Sequence, residues 1–192
     1  MAYRRYPGSA LGAVEYIIFT NVLLYIAVSI NNNLIQLFGF LPDAFFQQPW
    51  TIITSLFIHA PFPNIGHILG NMITLYFFGN FLVSLVRERT FLLVYFIGGI
   101  IGNLLMFLTP MSLVIGASGA IFAVGGALAV LRPKWTVYVF PLPIPIPLWV
   151  AVLGGFALTF GVYQVAWQAH LGGLAFGLVM GYIFRRREYR RF

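Results

Sequence analysis

An all-α membrane protein, folded as a bundle of six transmembrane helices with both termini cytoplasmic, is the architecture that this sequence predicts. Three observations lead there. Hydrophobic residues make up 60% of the 192 positions and charged residues 8%, a balance foreign to a soluble domain of this size. Six stretches lack any charge and are long enough to cross roughly 30 Å of hydrocarbon as helix, the form that satisfies its own backbone groups in lipid. All 11 Lys and Arg residues fall at the chain ends or in alternate connections, which places them on one side of the membrane.

The first span covers 16–37 and follows Arg4 and Arg5. Ala27-Val28-Ser29 loosely resembles a signal-peptide cleavage site. Removing this span would put the two ends of the chain on opposite sides and spoil the charge pattern, so it is read as a retained helix. The second and third spans, 66–86 and 91–108, are joined by Arg87 and Arg89. The fourth and fifth, 116–131 and 147–163, are joined by Arg132 and Lys134, and the sixth, 167–184, precedes Arg185, Arg186, Arg187, Arg190 and Arg191. Connections 38–65, 109–115 and 164–166 hold no basic residue and are placed outside. Residues 1–192 form a single transmembrane domain with short cytoplasmic tails, about 1–15 and 185–192, in a multi-pass protein of the cell membrane. The net charge of +7 reports this topology and contact with anionic headgroups. No folded domain outside the membrane carries a basic face, which excludes a nucleic-acid partner. The chain has no cysteine, so disulfide and thiolate chemistry are absent.

Two connections are informative. The first outer loop, "GFLPDAFFQQPWTIITSLFIHAPFP" with its flanks, is aromatic and proline-rich with Asp43 its only charge, as suits a segment half-sunk in the interface that frames what lies beneath. In "FPLPIPIPLW", Pro141, Pro143, Pro145 and Pro147 alternate, a spacing that predicts a stiff extended linker.

The topology fixes where the few polar groups lie. Spans two, four and six run inward, and His67, Asn71, Ser118 and His170 all sit near their outer ends at similar depth. Asn71 follows His67 by four residues and shares its helical face. His170 lies on a stripe with Gly173, Gly177 and Gly181, and Ser118 on one with Phe122, Gly125 and Ala129. Packing of these two smooth stripes, favoured in lipid, would bring Ser118 to His170. The fourth span is short, so Ser118 should lie below the outer surface, in a water-filled cavity.

A serine hydroxyl becomes nucleophilic when a neutral imidazole within reach takes its proton, and acyl transfer also needs donors aimed at the developing oxyanion. Gly116 and Gly119 flank the Ser118 turn and free its N–H as one donor. The Asn71 amide and the His67 ring supply others. No outer carboxylate is placed to orient His170, which makes a Ser118/His170 dyad the candidate. Each residue alone also has a packing or interhelical hydrogen-bonding explanation, and it is their convergence at one depth that packing leaves unexplained.

Gly116-Ala117-Ser118-Gly119, the AHxxGxxxG pattern from Ala169 to Gly177 and the HxxxN pattern from His67 to Asn71 together resemble the rhomboid intramembrane serine proteases. The resemblance covers all six spans and the long first loop. It implies Ser118 as nucleophile, His170 as general base, an oxyanion hole of His67, Asn71 and the Ser118 N–H, and Gly116, Gly119, Phe122, Gly173 and Gly177 in support. It implies cleavage, without cofactor or metal, of membrane-anchored substrates in or beside their transmembrane segment within the lipid bilayer, by an enzyme expected to act as a monomer. The fifth helix and the loop after it, with Phe156, Phe160, Tyr163 and Trp167, are implied to cover the site.

The chain departs from the family pattern at four places. Trp50-Thr51 stands where Trp-Arg is usual, Phe122 replaces a tyrosine that stacks on the catalytic histidine, a glutamate is missing around Leu82 and Val83, and the segment from His59 to His67 is longer. His59 is read as an interfacial anchor without a catalytic role. Three other functions stay open: a silent rhomboid-like protein that binds membrane clients, a zinc metalloprotease using His59, His67 and His170, and a small transporter, which the uncharged membrane core disfavours.

Overall fold

The computed structural model describes residues 11–108, 113–138, 144–161 and 165–189. Arg4, Arg5, Pro141, Pro143, Tyr163, Arg190 and Arg191 lie outside them. The first helix, α1 (Ala13–Ile30), is followed by a short α2 (Asn33–Phe38). The expected single span of 16–37 is therefore broken. The physical cause is the Asn31-Asn32-Asn33 run, in which extended Asn31 accepts the Asn33 N–H through its own side chain at 3.1 Å, a local alternative to the helix ladder.

The first loop folds as short turns around α3 (Thr51–Thr54) and leads into α4 (Ile65–Val86). Arg87 turns the chain at φ 74° into α5 (Glu88–Leu105). The Glu88 carboxylate accepts the Ala13 N–H at the start of α1, where a negative charge meets the positive end of the helix. The helix α6 (Ser118–Leu131) precedes a two-stranded antiparallel ribbon of β1 (Thr136–Tyr138) and β2 (Pro145–Pro147), with Val137 opposite Ile146. Pro145 and Pro147 thus lie in a strand paired with Thr136–Tyr138, where a stiff spacer was expected. The two remaining helices are α7 (Leu148–Leu158) and α8 (Trp167–Tyr189).

The fold is mostly helical. Ala13–Ile30, Ile65–Val86 and Glu88–Leu108 are long and apolar enough to cross a membrane, while α6 and α7 are apolar but shorter. Phe19, Leu23 and Ile26 on α1, and Leu69, Ile73 and Phe77 on α4, are exposed. Their spacing of three or four residues forms continuous apolar outer faces.

Inside the bundle, α6 is the centre and is buried along nearly its whole length. A Cβ added at Gly173, Gly177 or Gly181 of α8 would run into the backbone of Gly119, Ala123 or Ala127 in turn. The two helices are therefore parallel and in backbone contact. The α6 stripe in this seam is Gly119, Ala123 and Ala127, one position on from the expected Ser118, Phe122, Gly125 and Ala129. Gly125 faces Val152 and Phe78 instead. Gly98, Gly99 and Gly102 let α5 approach Ala123, Ala120 and Ala169 from the opposite direction. A Cβ added at Gly154 or Gly155 would meet nothing within 4 Å.

Gly177→Val should destabilise the bundle by about 1–3 kcal/mol or more, because the seam has no room for a side chain. Gly154→Ala should cost nothing. Thermal unfolding in detergent separates the two, and an equal loss in both would contradict the packing order.

Candidate active site

The α6 helix begins at Ser118, two residues later than the expected 116. The delay has a cause in Gly116, whose φ of +119° is a conformation open to glycine and costly to other residues. A Cβ there would also lie 2.8 Å from His67 Nε2. The lead-in is tied to the first loop, since Val114 and Phe40 exchange backbone hydrogen bonds of 2.8 and 2.9 Å and the Gly116 N–H donates to the Ser55 carbonyl at 3.0 Å. Ser118 is consequently the first residue of a helix, where N–H groups have no helical acceptor and the helix dipole is positive.

The α6/α8 seam then places His170, fourth residue of α8, against the serine. Ser118 Oγ lies 2.7 Å from His170 Nε2. A hydroxyl donating to Nε2 requires the neutral ring to carry its hydrogen on Nδ1. That Nδ1 is buried and makes no hydrogen bond to any described protein atom. The ring is held instead by Phe122, with centroids 4.8 Å apart and planes at 38°. Phe122 begins an aromatic run in which Phe156, Phe160 and Trp167 follow at centroid distances of 5.9, 5.0 and 4.9 Å. Three of the four residues expected to cover the site thus form a run that reaches it through Phe122, and Tyr163 lies outside the described residues.

His67 Nδ1 accepts the Ala60 N–H at 3.2 Å. The neutral ring must then carry hydrogen on Nε2, the nitrogen beside Gly116. Asn71 Nδ2 donates one hydrogen to the His67 carbonyl at 2.7 Å, and its second remains for another acceptor. The supporting glycines lie where close approach demands them, Gly119 against Gly173 and Ala169, and Gly177 against Ala123.

His59 departs from its expected place at the interface. It is fully buried, with its ring centroid 4.9 Å from that of His67 and neither ring nitrogen hydrogen-bonded to any described residue. Burial, and secondarily the neighbouring His67, lower its pKa to about 3; the Phe57 backbone opposes the shift without forming a proper hydrogen bond. Asn103 and Ser55 also escaped the sequence reading. Asn103 Nδ2 donates to the Ile52 carbonyl and to Ser55 Oγ, each at 2.9 Å. An isolated asparagine inside an apolar span was the available signal.

A family model of the Rhomboid domain matches residues 47–187, which takes in most of the first loop, the Ser118 turn and His170. The chain belongs to the rhomboid family. Among rhomboid relatives, it is 34% identical to the mitochondrial Rhomboid protein 1 of Saccharomyces cerevisiae over 73% of this chain and 44% of that protein. It is 33% identical to RHOMBOID-like protein 1 of Arabidopsis thaliana over 72% of this chain and 35% of that one. With the putative rhomboid protease YdcA of Bacillus subtilis it shares 32% identity over 74% and 71% of the two chains. The match thus spans less than half of the yeast and Arabidopsis proteins.

At Trp50-Thr51, where the resemblance leads to an expected Trp-Arg, the first loop is held by neutral bonds. Trp50 Nε1 donates to the Leu37 carbonyl at 3.0 Å, Thr51 Oγ1 to that of Gln48 at 2.6 Å and Thr54 Oγ1 to that of Phe38 at 2.8 Å. Leu82, near which the family glutamate is missing, is fully buried among apolar residues.

Nitrogen-15 NMR of the imidazoles should find hydrogen on Nδ1 of His170 and on Nε2 of His67 at neutral pH; the reverse in either ring contradicts the geometry. Stability should also respond to acid. The unfolded chain protonates His59 near 6.5, whereas the folded protein does so only near 3. The contribution is complete above about 6.5 and declines as pH falls towards 3. The thermal midpoint in detergent should therefore drop over that window, and His59→Phe should flatten the drop. An unchanged slope in the variant contradicts the burial of a neutral ring.

Proposed function

We propose that this rhomboid is an intramembrane serine endopeptidase that hydrolyses peptide bonds in or next to the transmembrane segments of membrane proteins. The observation that carries the reading is the 2.7 Å approach of Ser118 Oγ to His170 Nε2. The proposed reaction starts when His170 takes the hydroxyl proton as Ser118 attacks the scissile carbonyl. The protonated ring then donates to the leaving amine, and a water activated in the same way releases the acyl group. The developing oxyanion is stabilised by the Ser118 N–H at the positive end of α6, by the His67 Nε2–H and by the remaining Asn71 amide hydrogen. Among the described residues no third group meets His170 Nδ1, and Phe122 holds the imidazole by stacking.

The protein is taken as a single rhomboid domain over 1–192, with six spans, both termini cytoplasmic, in the cell membrane and active as a monomer. At 14 residues, α6 spans roughly 21 Å, short of the hydrocarbon thickness, which supports a site sunk below the outer face. The similarity to YdcA of Bacillus subtilis, a putative rhomboid protease, favours turnover over a silent client-binding role. The zinc reading lacks a donor set, since among the described residues no three of His, Cys, Asp or Glu are grouped to hold a metal ion and His170 Nε2 is engaged with Ser118.

Purified protein in lipid should cleave a single-span substrate, and Ser118→Ala or His170→Ala should each slow the chemical step by several orders of magnitude. Normal cleavage by either variant sinks the dyad. Cleavage lost to a chelator but retained by Ser118→Ala would favour a metal.

A further inference from the structure

We infer that Asn103 is a positioning residue for Ser118, acting across the membrane-embedded bundle through the first loop. The inference rests on the proposed serine reaction for its functional consequence, although its structural part stands alone.

The turn that presents Ser118 is an awkward piece of backbone. Gly116 is held at positive φ, a conformation that costs other residues strain. Two backbone ties to the first loop hold the turn, the Phe40–Val114 pair and the Gly116 N–H on the Ser55 carbonyl. The tie at Gly116, the residue nearest Ser118, is therefore placed no better than Ser55 is placed. Ser55 is 1% exposed and lies in a single turn of 3-10 helix directly after the four-residue α3, and helices so short are not stable by themselves.

Asn103 supplies the missing fixation. It is 2% exposed on α5, and its Nδ2 uses both hydrogens on this loop, one on the Ile52 carbonyl and one on Ser55 Oγ. On the same side of α5, Gly99 admits Leu56 and Ala120, and Gly102 lies against the Ala169 carbonyl, next to His170. One helix face thus sets three things together: the loop that holds the Ser118 turn, the head of α6, and the residue preceding the base. A buried amide with two satisfied donors fixes its acceptors in direction as well as distance, which apolar packing does not do.

Loss of the amide should leave the hydroxyl and the imidazole chemically intact but less well aligned. Misplacement of about 1 Å can cost on the order of 100-fold in rate. For Asn103→Leu, which keeps approximate volume, kcat should fall by about 10- to 100-fold with KM nearly unchanged.

The test measures amide hydrogen exchange at Gly116 and at Ala123 in the α6 interior, with kcat and KM, on the full chain in detergent. Asn103→Leu should speed Gly116 exchange by about tenfold or more, matching the loss of two hydrogen bonds, and leave Ala123 protected. Ser55→Ala, which removes one acceptor and keeps the carbonyl, should give a smaller change in the same direction, and it decides the matter if Asn103→Leu does not fold. Unchanged Gly116 exchange in the folded variants overturns the inference, as does equal acceleration at Ala123, which signals general loosening. If wild-type protein cleaves nothing, the serine reaction fails on its own, while the exchange rates still judge the clamp.

Discussion

The site depends on two helix backbones touching. A serine and a histidine 52 residues apart meet because α6 and α8 lie closer than any pair of side-chain-bearing helices can. The glycines at 173, 177 and 181 leave no atom between the α8 axis and the carbonyls of Gly119, Ala123 and Ala127. In lipid there is little hydrophobic gain from bringing helices together, so dispersion between close backbones carries much of the association. That contact also fixes the register. A four-residue repeat on both helices admits sliding only in whole turns, and only one of those settings puts His170 beside the first residue of α6.

Around this seam the remaining elements act as supports of different kinds. The α5 helix approaches from the opposite direction through its own glycines and adds the Asn103 amide. The first loop contributes main-chain groups rather than reactive side chains: the Ser55 carbonyl holds Gly116, and the Ala60 N–H selects which nitrogen of His67 carries hydrogen. On the far side, Phe122 and the aromatic run towards Trp167 hold the imidazole from its face. Among the described residues no carboxylate meets His170 Nδ1, and a stacked ring and a crowded helix orient the imidazole instead.

Much of this was legible in the sequence because the signals were local. Residues Gly116 to Gly119, the glycine spacing after His170 and the His67–Asn71 pair are short patterns whose meaning follows from helical periodicity. What was not legible came from backbone and from packing partners. The Ser118 stripe was taken one position early because the pattern of small residues on α6 is nearly continuous, from Gly119 through Ala129, and periodicity alone does not choose among adjacent faces. The break at Asn31 was hidden in a run of otherwise apolar residues. His59 was assigned to the interface because its neighbours are aromatic and proline, whereas the fold turns it inward against His67. Alternating prolines specify extension and say nothing of what an extended strand pairs with, so the pairing of Pro145–Pro147 with Thr136–Tyr138 leaves no sign in the pattern.

The central claim is that the Ser118 hydroxyl is activated by the imidazole it touches, within a bundle built to hold the two together. Reaction with a serine-directed fluorophosphonate, followed by peptide mapping of the adduct, tests this most directly because it needs no knowledge of the natural substrate. The account predicts one labelled residue, Ser118, with labelling that disappears when the imidazole of His170 is removed. Adduct on another residue, or undiminished labelling of Ser118 without that imidazole, would contradict it.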